Sequence, residues 1–177
     1  MREELDKKLV EKYPQVFKNR YASMQETAMC WGFECGDGWY NIIDTLCALL
    51  TSEYRQAKDS YDYAKQMFEE NGGKTHWGKP ITAEDLEEKR LKIEEAEKRI
   101  PVASQVKEKF GGLRFYVDGA TEKHYNYITF AESMSYSTCE ECGAPGKRYT
   151  NGWHVTLCEK HAEEQGKTDE YDEDVDA

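Results

Sequence analysis

The sequence lacks long apolar runs, which bears on where the protein acts. Nowhere among its 177 residues is there a stretch of about 18 apolar residues, the length that a membrane-spanning helix needs. The first residues, Met1 to Asp6, are mostly charged and do not form the apolar core of a signal peptide. We therefore expect no membrane association and a cytoplasmic location.

Enzyme signatures are also missing. The sequence contains no His-Glu-x-x-His pair, no Walker phosphate loop and no Gly-x-Ser-x-Gly nucleophile turn. The zinc-deaminase pattern fails as well, because Thr138 instead of proline precedes Cys139 and no His-x-Glu stands upstream. These absences predict a protein that is not an enzyme and has no catalytic residues.

Positive charge is scarce, and negative charge is concentrated near the end of the chain. The net charge is −11, and residues 162–177 hold eight carboxylates against one lysine, which leaves −4 for the rest. A segment this polar buries too little apolar surface to fold, so we predict a disordered acidic tail at 162–177. Nucleic acid is a disfavoured partner, because binding to phosphates depends on clustered Lys and Arg.

Apolar residues at helical spacing predict a long helical hairpin over residues 38–100. They recur about every 3.7 positions from residue 42 to residue 68, which is the period of a helix. Asp37 is the predicted N-cap of this first helix. The second helix is predicted to begin at Thr82 and Asp85, which resemble a capping box. The hairpin is either a purely structural element or an arm that engages a partner.

Beyond Pro101 the apolar period changes from helical to alternating. Residues 102–106 and 113–117 alternate on either side of Gly111-Gly112, which predicts a central β-hairpin. A helix is predicted at 121–136. The predicted fold class is therefore α+β, with a body at 1–136 that includes the helical hairpin.

Two pairs of metal-ligand residues close the ordered part of the chain. Cys139 and Cys142 are followed after fifteen residues by Cys158 and His161. Three thiolates and one imidazole complete a tetrahedron, which is typical of structural zinc, and such a closed site leaves no position for a catalytic water. The pattern predicts a zinc-ribbon-like knuckle at 137–161 with one structural Zn²⁺ per chain. Between the pairs we expect a small β-hairpin that turns at Asn151-Gly152.

The other cysteines do not show this spacing. Cys30 and Cys35, with four residues between them, could form a second site with Cys47 and His76, but their spacing is wrong for a knuckle and Cys47 lies inside a predicted helix. We interpret all three as free thiols of the interior, because a chain without a secretion signal is expected in a reducing compartment.

Two segments are predicted as weaker candidates for binding a ligand or a partner. Lys107, Lys109 and Arg114 gather positive charge around the diglycine turn, where backbone amides and a guanidinium could hold a phosphate or a carboxylate. Trp39 and Tyr40 could offer aromatic rings for stacking. Ordinary solvated charge in the first case, and capping with core packing in the second, remain the alternative interpretations.

Several of these segments together resemble a family of small phage and prophage accessory proteins. The resemblance rests on Gly36–Asp44, on Lys107–Tyr116 (Lys-Glu-Lys-Phe-Gly-Gly-Leu-Arg-Phe-Tyr), on Cys139–Gly146 and on Gly152–His161, where Trp153, Thr156 and Leu157 precede the second ligand pair. It covers most of residues 28–161. The resemblance implies a phage setting, and hence the cytoplasm of a bacterial host, together with a zinc knuckle; it implies no activity.

The function expected from these observations is non-enzymatic binding. Small phage proteins without enzyme motifs often block host proteins, so the first hypothesis is an anti-defence protein that binds and inhibits a host factor. A second hypothesis is a protein that sequesters a nucleotide signal, an anionic small molecule. A third is a nucleic-acid-binding regulator, suggested by the zinc knuckle alone. The sequence does not indicate the oligomeric state.

Overall fold

The structure is a computed structural model that describes residues 1–167. Its contacts divide into two compact units, Met1–Leu49 with Pro101–Ala177, and Leu50–Ile100. Helices and small sheets occur together, which confirms the predicted α+β class. The end of the predicted acidic tail, residues 168–177, lies outside the described residues.

A three-stranded sheet organises the first unit. Its strand order is β1 (Phe33–Glu34), β2 (Val102–Lys109) and β3 (Gly112–Asp118), with β1 parallel to β2 and β2 antiparallel to β3. The helices of this unit are α1 (Glu3–Lys12), α2 (Tyr40–Leu50), α5 (Glu122–Ser135) and α6 (Glu159–Glu164). Short 3-10 turns at Ala28–Trp31 and Asp37–Trp39 precede β1 and α2.

The predicted central β-hairpin is confirmed by the pairing of β2 with β3. Val106 lies opposite Phe115, both are buried, and this face of the hairpin belongs to the core. The two residues of the turn, Phe110 and Gly111, have φ values of 54° and 78°. Positive φ at both central residues is the geometry of a type I′ turn, which matches the twist of the paired strands.

Helix α5 protects the outer edge of β3. The amide of Leu113 donates to Ser135 Oγ at 2.9 Å, and the amide of Phe115 donates to Glu132 Oε1 at 2.9 Å. These side chains occupy backbone donors that would otherwise be open at a sheet edge. The helix itself begins with a capping box in which Thr121 Oγ1 accepts from the His124 amide.

The second unit contains α3 (Ser52–Glu70) and α4 (Ala83–Lys98), which pack against each other. The loop between them closes through a bridge between Lys74 and Pro80. The capping box predicted at the start of α4 is confirmed: Asp85 N donates to Thr82 Oγ1 at 3.1 Å, and Thr82 N donates to Asp85 Oδ2 at 2.8 Å.

The single long first helix predicted from residue 38 is wrong. Helix α2 ends at Leu50, Thr51 leaves helical geometry with φ −101° and ψ 6°, and α3 begins at Ser52. Neighbouring hydroxyl side chains offer the backbone competing hydrogen bonds, which favours a helix boundary there. The apolar period runs through this boundary without a change, so periodicity did not reveal it. The helical pair of the second unit is consequently shorter than predicted.

The C-terminal segment folds as a small strand pair followed by a helix. Strand β4 (Lys147–Tyr149) pairs antiparallel with β5 (Val155–Leu157), which confirms the hairpin expected between the ligand pairs. Cys139, Tyr149, Leu157 and Ala162 form its buried cluster. Helix α6 continues to Glu164 and buries Ala162, so residues 162–164 are helical instead of belonging to the predicted disordered tail.

Within residues 1–167, no helix has both the length and the apolar character that crossing a bilayer requires.

Candidate metal centre and neighbouring surfaces

Two tight turns present the four predicted metal ligands. Cys139 and Cys142 lie just after α5, in a turn where the Cys139 amide donates to Ala144 O and the Gly143 amide donates to Cys139 O, both at 2.8 Å. Gly143 has φ 75°, which a residue with a side chain rarely adopts. On the other side, Cys158 precedes α6 and His161 lies in that helix.

The four ligand atoms converge on one point. All lie within 4.8 Å of one another. His161 Nδ1 lies 3.4 Å from Cys139 Sγ and 3.2 Å from Cys158 Sγ, and Cys142 Sγ lies 3.9 Å from Cys158 Sγ. A metal–sulfur bond of about 2.3 Å places two sulfurs of a tetrahedron about 3.8 Å apart. The predicted ligands are thus brought together in an arrangement that could hold one metal ion.

The surroundings favour the thiolate at Cys158 and disfavour it at Cys139. Burial raises the pKa of the Cys139 thiol, while hydrogen bonds from backbone amides, including those of Cys158 and Cys142, act in the opposite direction. The pKa of Cys158 is lowered to about 7, chiefly by the backbone amide of His161. Thiolate is the form of cysteine that binds metals. The remaining ring nitrogen of His161 lies 3.9 Å from a carboxylate oxygen of Glu164, which is beyond hydrogen-bond distance.

The other three cysteines lie apart from this group. Within residues 1–167, the Cys139 group is the one place where three or more potential metal donors lie together. Cys35 and Cys47 are buried, as interpreted from the sequence, whereas Cys30 is partly exposed. Burial raises the pKa of Cys35 to about 12 and that of Cys47 well above its ordinary value, so both remain protonated thiols.

The loop before α2 packs directly on the first ligand turn. Gly36 N donates to Glu140 Oε1 at 2.8 Å, and Gly38 N donates to Glu140 O at 2.7 Å. Trp39 Nε1 donates to Thr138 O at 2.9 Å. The ligand turn is therefore fixed by contacts to residues about a hundred positions earlier in the chain.

Trp39 and Tyr40 do not form the exposed aromatic pair considered from the sequence. Trp39 is fully buried, so its ring serves core packing, and Tyr40 is only partly exposed at the start of α2. Asp37 is not an N-cap either. Its carboxylate accepts from the Arg2 backbone amide at 2.7 Å and pairs with the Arg2 guanidinium, and Gly36 occupies the cap position.

Lys107, Lys109 and Arg114 do share one face of the β-hairpin. Lys107 lies opposite Arg114 in the register, and Lys109 lies two residues further along the same strand. The proposed phosphate cradle is wrong, however. Gly111 of the turn and Gly112, the first residue of β3, are both buried, and the Gly111 amide already donates to Glu108 Oε1 at 2.6 Å. The positive face is therefore a surface of side chains and not a backbone nest.

Sequence reasoning missed two residues at this face. Arg114 Nη2 donates to Tyr136 Oη at 2.7 Å, and the guanidinium of Arg148 lies 5.2 Å from the centre of the same ring. Tyr136 follows α5 and Arg148 lies on β4, so neither is near the hairpin in sequence. The one available signal was Gly112: a Cβ there would lie 2.5 Å from the Tyr136 ring, so only glycine admits this contact.

An apolar groove separates α2 from α5 in the same unit. Its volume is 330 Å³. Leu49, Phe130 and Met134 line it and are exposed. Exposed apolar residues that cluster in this way mark surfaces for ligands or other proteins.

Comparison with known proteins gives no relative from which a role could be transferred: no family model matches the chain, and neither a curated protein nor a solved structure does.

Proposed function

We propose that this protein is a non-enzymatic binding protein that carries one structural zinc ion and inhibits a protein of a bacterial host. The zinc ligands are Cys139, Cys142, Cys158 and His161. The phage setting, and a defence component as the host target, follow from the sequence resemblance alone. The observation that carries the proposal is the convergence of the four ligand atoms within 4.8 Å of one another.

The donor set supports zinc and a structural role. Three sulfurs and one imidazole nitrogen are soft to borderline ligands, which zinc accepts in tetrahedral geometry. Four protein ligands fill that geometry, so a bound ion would have no position left for substrate. The segment around the ligands has a small buried cluster, and binding of a structural zinc contributes on the order of 10 kcal/mol to the folding of such modules.

Exposed aromatic side chains support protein binding. Trp31, Trp77 and Trp153 are 61%, 87% and 75% exposed, whereas Trp39 alone among the four tryptophans is buried. Exposed tryptophan is unfavourable for an isolated protein but is enriched at the energetic centres of interfaces. The apolar groove between α2 and α5 adds a second surface of the same kind.

Two measurements test the proposal. Elemental analysis of the purified protein should find close to one zinc per chain, and the Cys35→Ser variant should keep that value. Zero or two zinc ions per chain would contradict the assignment of the metal. Affinity purification from the infected host should recover one host protein in stoichiometric amount, and its activity should fall when this protein is added. Recovery of no host protein would contradict the inhibitor role.

A second candidate is sequestration of a nucleotide signal, which is favoured by the shared face of Lys107, Lys109 and Arg114. Guanidinium and ammonium groups on one face suit a phosphate. Calorimetry with cyclic nucleotides and ADP-ribose derivatives separates the candidates, because only sequestration expects binding at micromolar concentration or below.

A further inference from the structure

The β2–β3 turn lies against the β4–β5 hairpin in the first unit, although the two are far apart in sequence. Thr156 Oγ1 donates to Gly111 O at 2.6 Å, and Arg148 Nε donates to Phe110 O at 2.8 Å. A Cβ at Gly111 would lie 3.2 Å from Val155 N, so the turn and the hairpin are in close contact. The β2–β3 turn and the β4–β5 hairpin consequently form one continuous surface. We call it the two-turn surface and define it by Lys109, Phe110, Arg114, Tyr136 and Arg148.

The two guanidinium groups of the two-turn surface are held by neighbouring groups. The guanidinium groups of Arg114 and Arg148 lie 5.8 Å and 5.2 Å from the centre of the Tyr136 ring. Arg114 is anchored to Leu113 O and Tyr136 Oη, each at 2.7 Å. Ordered guanidinium forks match the geometry of a carboxylate.

Phe110 is placed on this surface at a conformational cost. Within residues 1–167 it is the one non-glycine residue with positive φ, 54°. Asn or Gly is preferred at this position of a type I′ turn, and a bulky side chain there is strained. Its ring is nevertheless 59% exposed, with Lys109 Nζ 5.3 Å and the His154 ring 6.1 Å from its centre. Strain without burial indicates that the ring has a role outside the fold.

We infer that the two-turn surface binds an acidic segment of the partner protein. Carboxylates of that segment contact Arg114, Arg148 and Lys109, and an apolar side chain packs on Phe110. The inference rests on the proposed function and names the chemistry of its partner. An acidic protein segment fits better than nucleic acid, because the carboxylates of Glu108 and Glu132 accept bonds at the flanks of this surface, whereas a nucleic-acid strand requires a continuous positive track.

Two substitutions separate binding from folding. Phe110→Asn places the preferred residue in the type I′ turn, so the melting temperature should stay the same or rise while the apolar contact is lost. Lys109→Gln removes one exposed charge that has no hydrogen-bond role in the turn. Lys8→Gln removes a similar exposed charge on α1 and is the matched control.

Binding is measured by fluorescence anisotropy with a labelled peptide in which Glu and Asp surround one Leu, beside a labelled oligothymidylate. Residues 168–177 carry six carboxylates of their own, so a second full-length protein has these changed to amides. Either the parent or the variant with amides at 168–177 should bind the peptide. This binding should weaken as the salt concentration rises. Phe110→Asn should lower the affinity roughly tenfold, the range seen for aromatic anchors. Lys109→Gln should lower it roughly threefold, mainly through slower association, and Lys8→Gln should leave it unchanged.

The inference is overturned if neither protein binds the peptide, if Phe110→Asn binds it as well as the parent, or if the oligothymidylate binds more tightly than the peptide. Capture from host lysate distinguishes this failure from a failure of the proposed function. A host protein captured equally by the parent and by Phe110→Asn leaves the inhibitor role standing and removes this surface from it.

Discussion

The amide of Gly38 donates a hydrogen bond to the carbonyl oxygen of Glu140 at 2.7 Å, so the loop before α2 lies directly on the turn that carries the first two metal ligands. A Cβ at Gly38 would lie 2.1 Å from Cys139 O and 2.4 Å from Gly143 N. Both atoms belong to the backbone of the ligand turn, which cannot move aside without moving the ligands. The candidate metal ligands and the N-terminal part of the first unit are therefore parts of one packed structure.

Gly38→Ala should disturb both stability and metal binding. The added methyl overlaps backbone atoms, and overpacking of this kind costs about 3 kcal/mol. Chemical unfolding and zinc competition with a chelator measure the two effects. Gly119→Ala is the control, because no atom lies within 4 Å of its Cβ position and only its positive φ of 75° is strained, at about 1 kcal/mol. Equal effects of the two substitutions would contradict the close contact at Gly38.

Cys142→Ser should release the metal and expose Trp39 while sparing the second unit. The Trp39 indole donates to Thr138 O, one residue before Cys139, so loss of order at the ligand turn should reach this ring. Residues Leu50–Ile100 form a compact unit of their own, so the helical signal of α3 and α4 should remain in circular dichroism. A red shift of Trp39 emission with most helical signal retained is the expected result.

Replacing the exposed tryptophans allows the fluorescence of Trp39 to be measured alone in that experiment. Trp31, Trp77 and Trp153 can be changed to Phe at little cost, because all three are exposed, and Trp39 is then the sole indole. Unchanged emission of Trp39 would show that the ligand turn folds without the metal. Loss of the entire helical signal would show that the two units unfold together.

Sequence patterns predicted the structural elements that depend on residues close together in the chain. The spacing of Cys139, Cys142, Cys158 and His161 requires only two short turns to bring the ligands together, and the predicted group is confirmed. Alternation likewise predicted the β2–β3 hairpin. The burial of Trp39 could not be predicted in this way, because it depends on Thr138, about a hundred residues later.

The two-turn surface could not be predicted from the sequence for the same reason. Arg114 and Arg148 meet at Tyr136 only when β2–β3, α5 and β4 have packed. The clustering of positive charge in the sequence predicted Lys107, Lys109 and Arg114 as one group. It did not predict that Arg148, which is distant in sequence, would lie beside Arg114. The sequence Gly111-Gly112 led us to predict a backbone site for phosphate. In the structure, Gly112 instead leaves space for the Tyr136 ring, because a Cβ there would overlap it.

Breaking the ion pair between Asp6 and Arg20 should destabilise the first unit. Arg20 donates to Asp6 at 2.8 Å and to Cys30 O at 2.9 Å, and the two side chains are only 18% and 10% exposed. Asp6→Ala leaves a guanidinium that is largely buried without its counter-charge, which costs about 3 kcal/mol. Urea unfolding should report that loss. Lys7→Ala, which removes an exposed pair on the same helix α1, should have little effect.

A double substitution tests whether the charge itself causes that loss. In Asp6→Leu combined with Arg20→Met both buried charges are gone, so the double variant should be more stable than the sum of the single effects predicts. Strict additivity of the two losses would show that the side chains stabilise α1 through separate contacts and not through their pairing.

Glu132 should make the stability of the first unit depend on pH. Burial raises the pKa of its carboxyl above the ordinary 4.5, although the hydrogen bond that it accepts from the Phe115 amide and the charge of nearby Arg114 act in the opposite direction. The folded state therefore binds this proton more tightly than the unfolded state does. Ionisation of Glu132 therefore lowers the free energy of unfolding as the pH rises from 4.5 through the raised pKa. Above that pKa this loss of stability is complete.

Glu132→Gln removes the charge and keeps an oxygen that can accept from the Phe115 amide. The variant should be more stable than the parent at pH 7.5, and this advantage should shrink as pH falls toward 4.5. Urea unfolding of both proteins at each pH gives the difference, in which shared titrations such as those of the metal ligands cancel. Glu11→Gln, on the exposed side of α1, controls for the loss of one negative charge. If the difference between Glu132→Gln and the parent is the same at every pH, the effect of this residue lies in its packing and not in its charge.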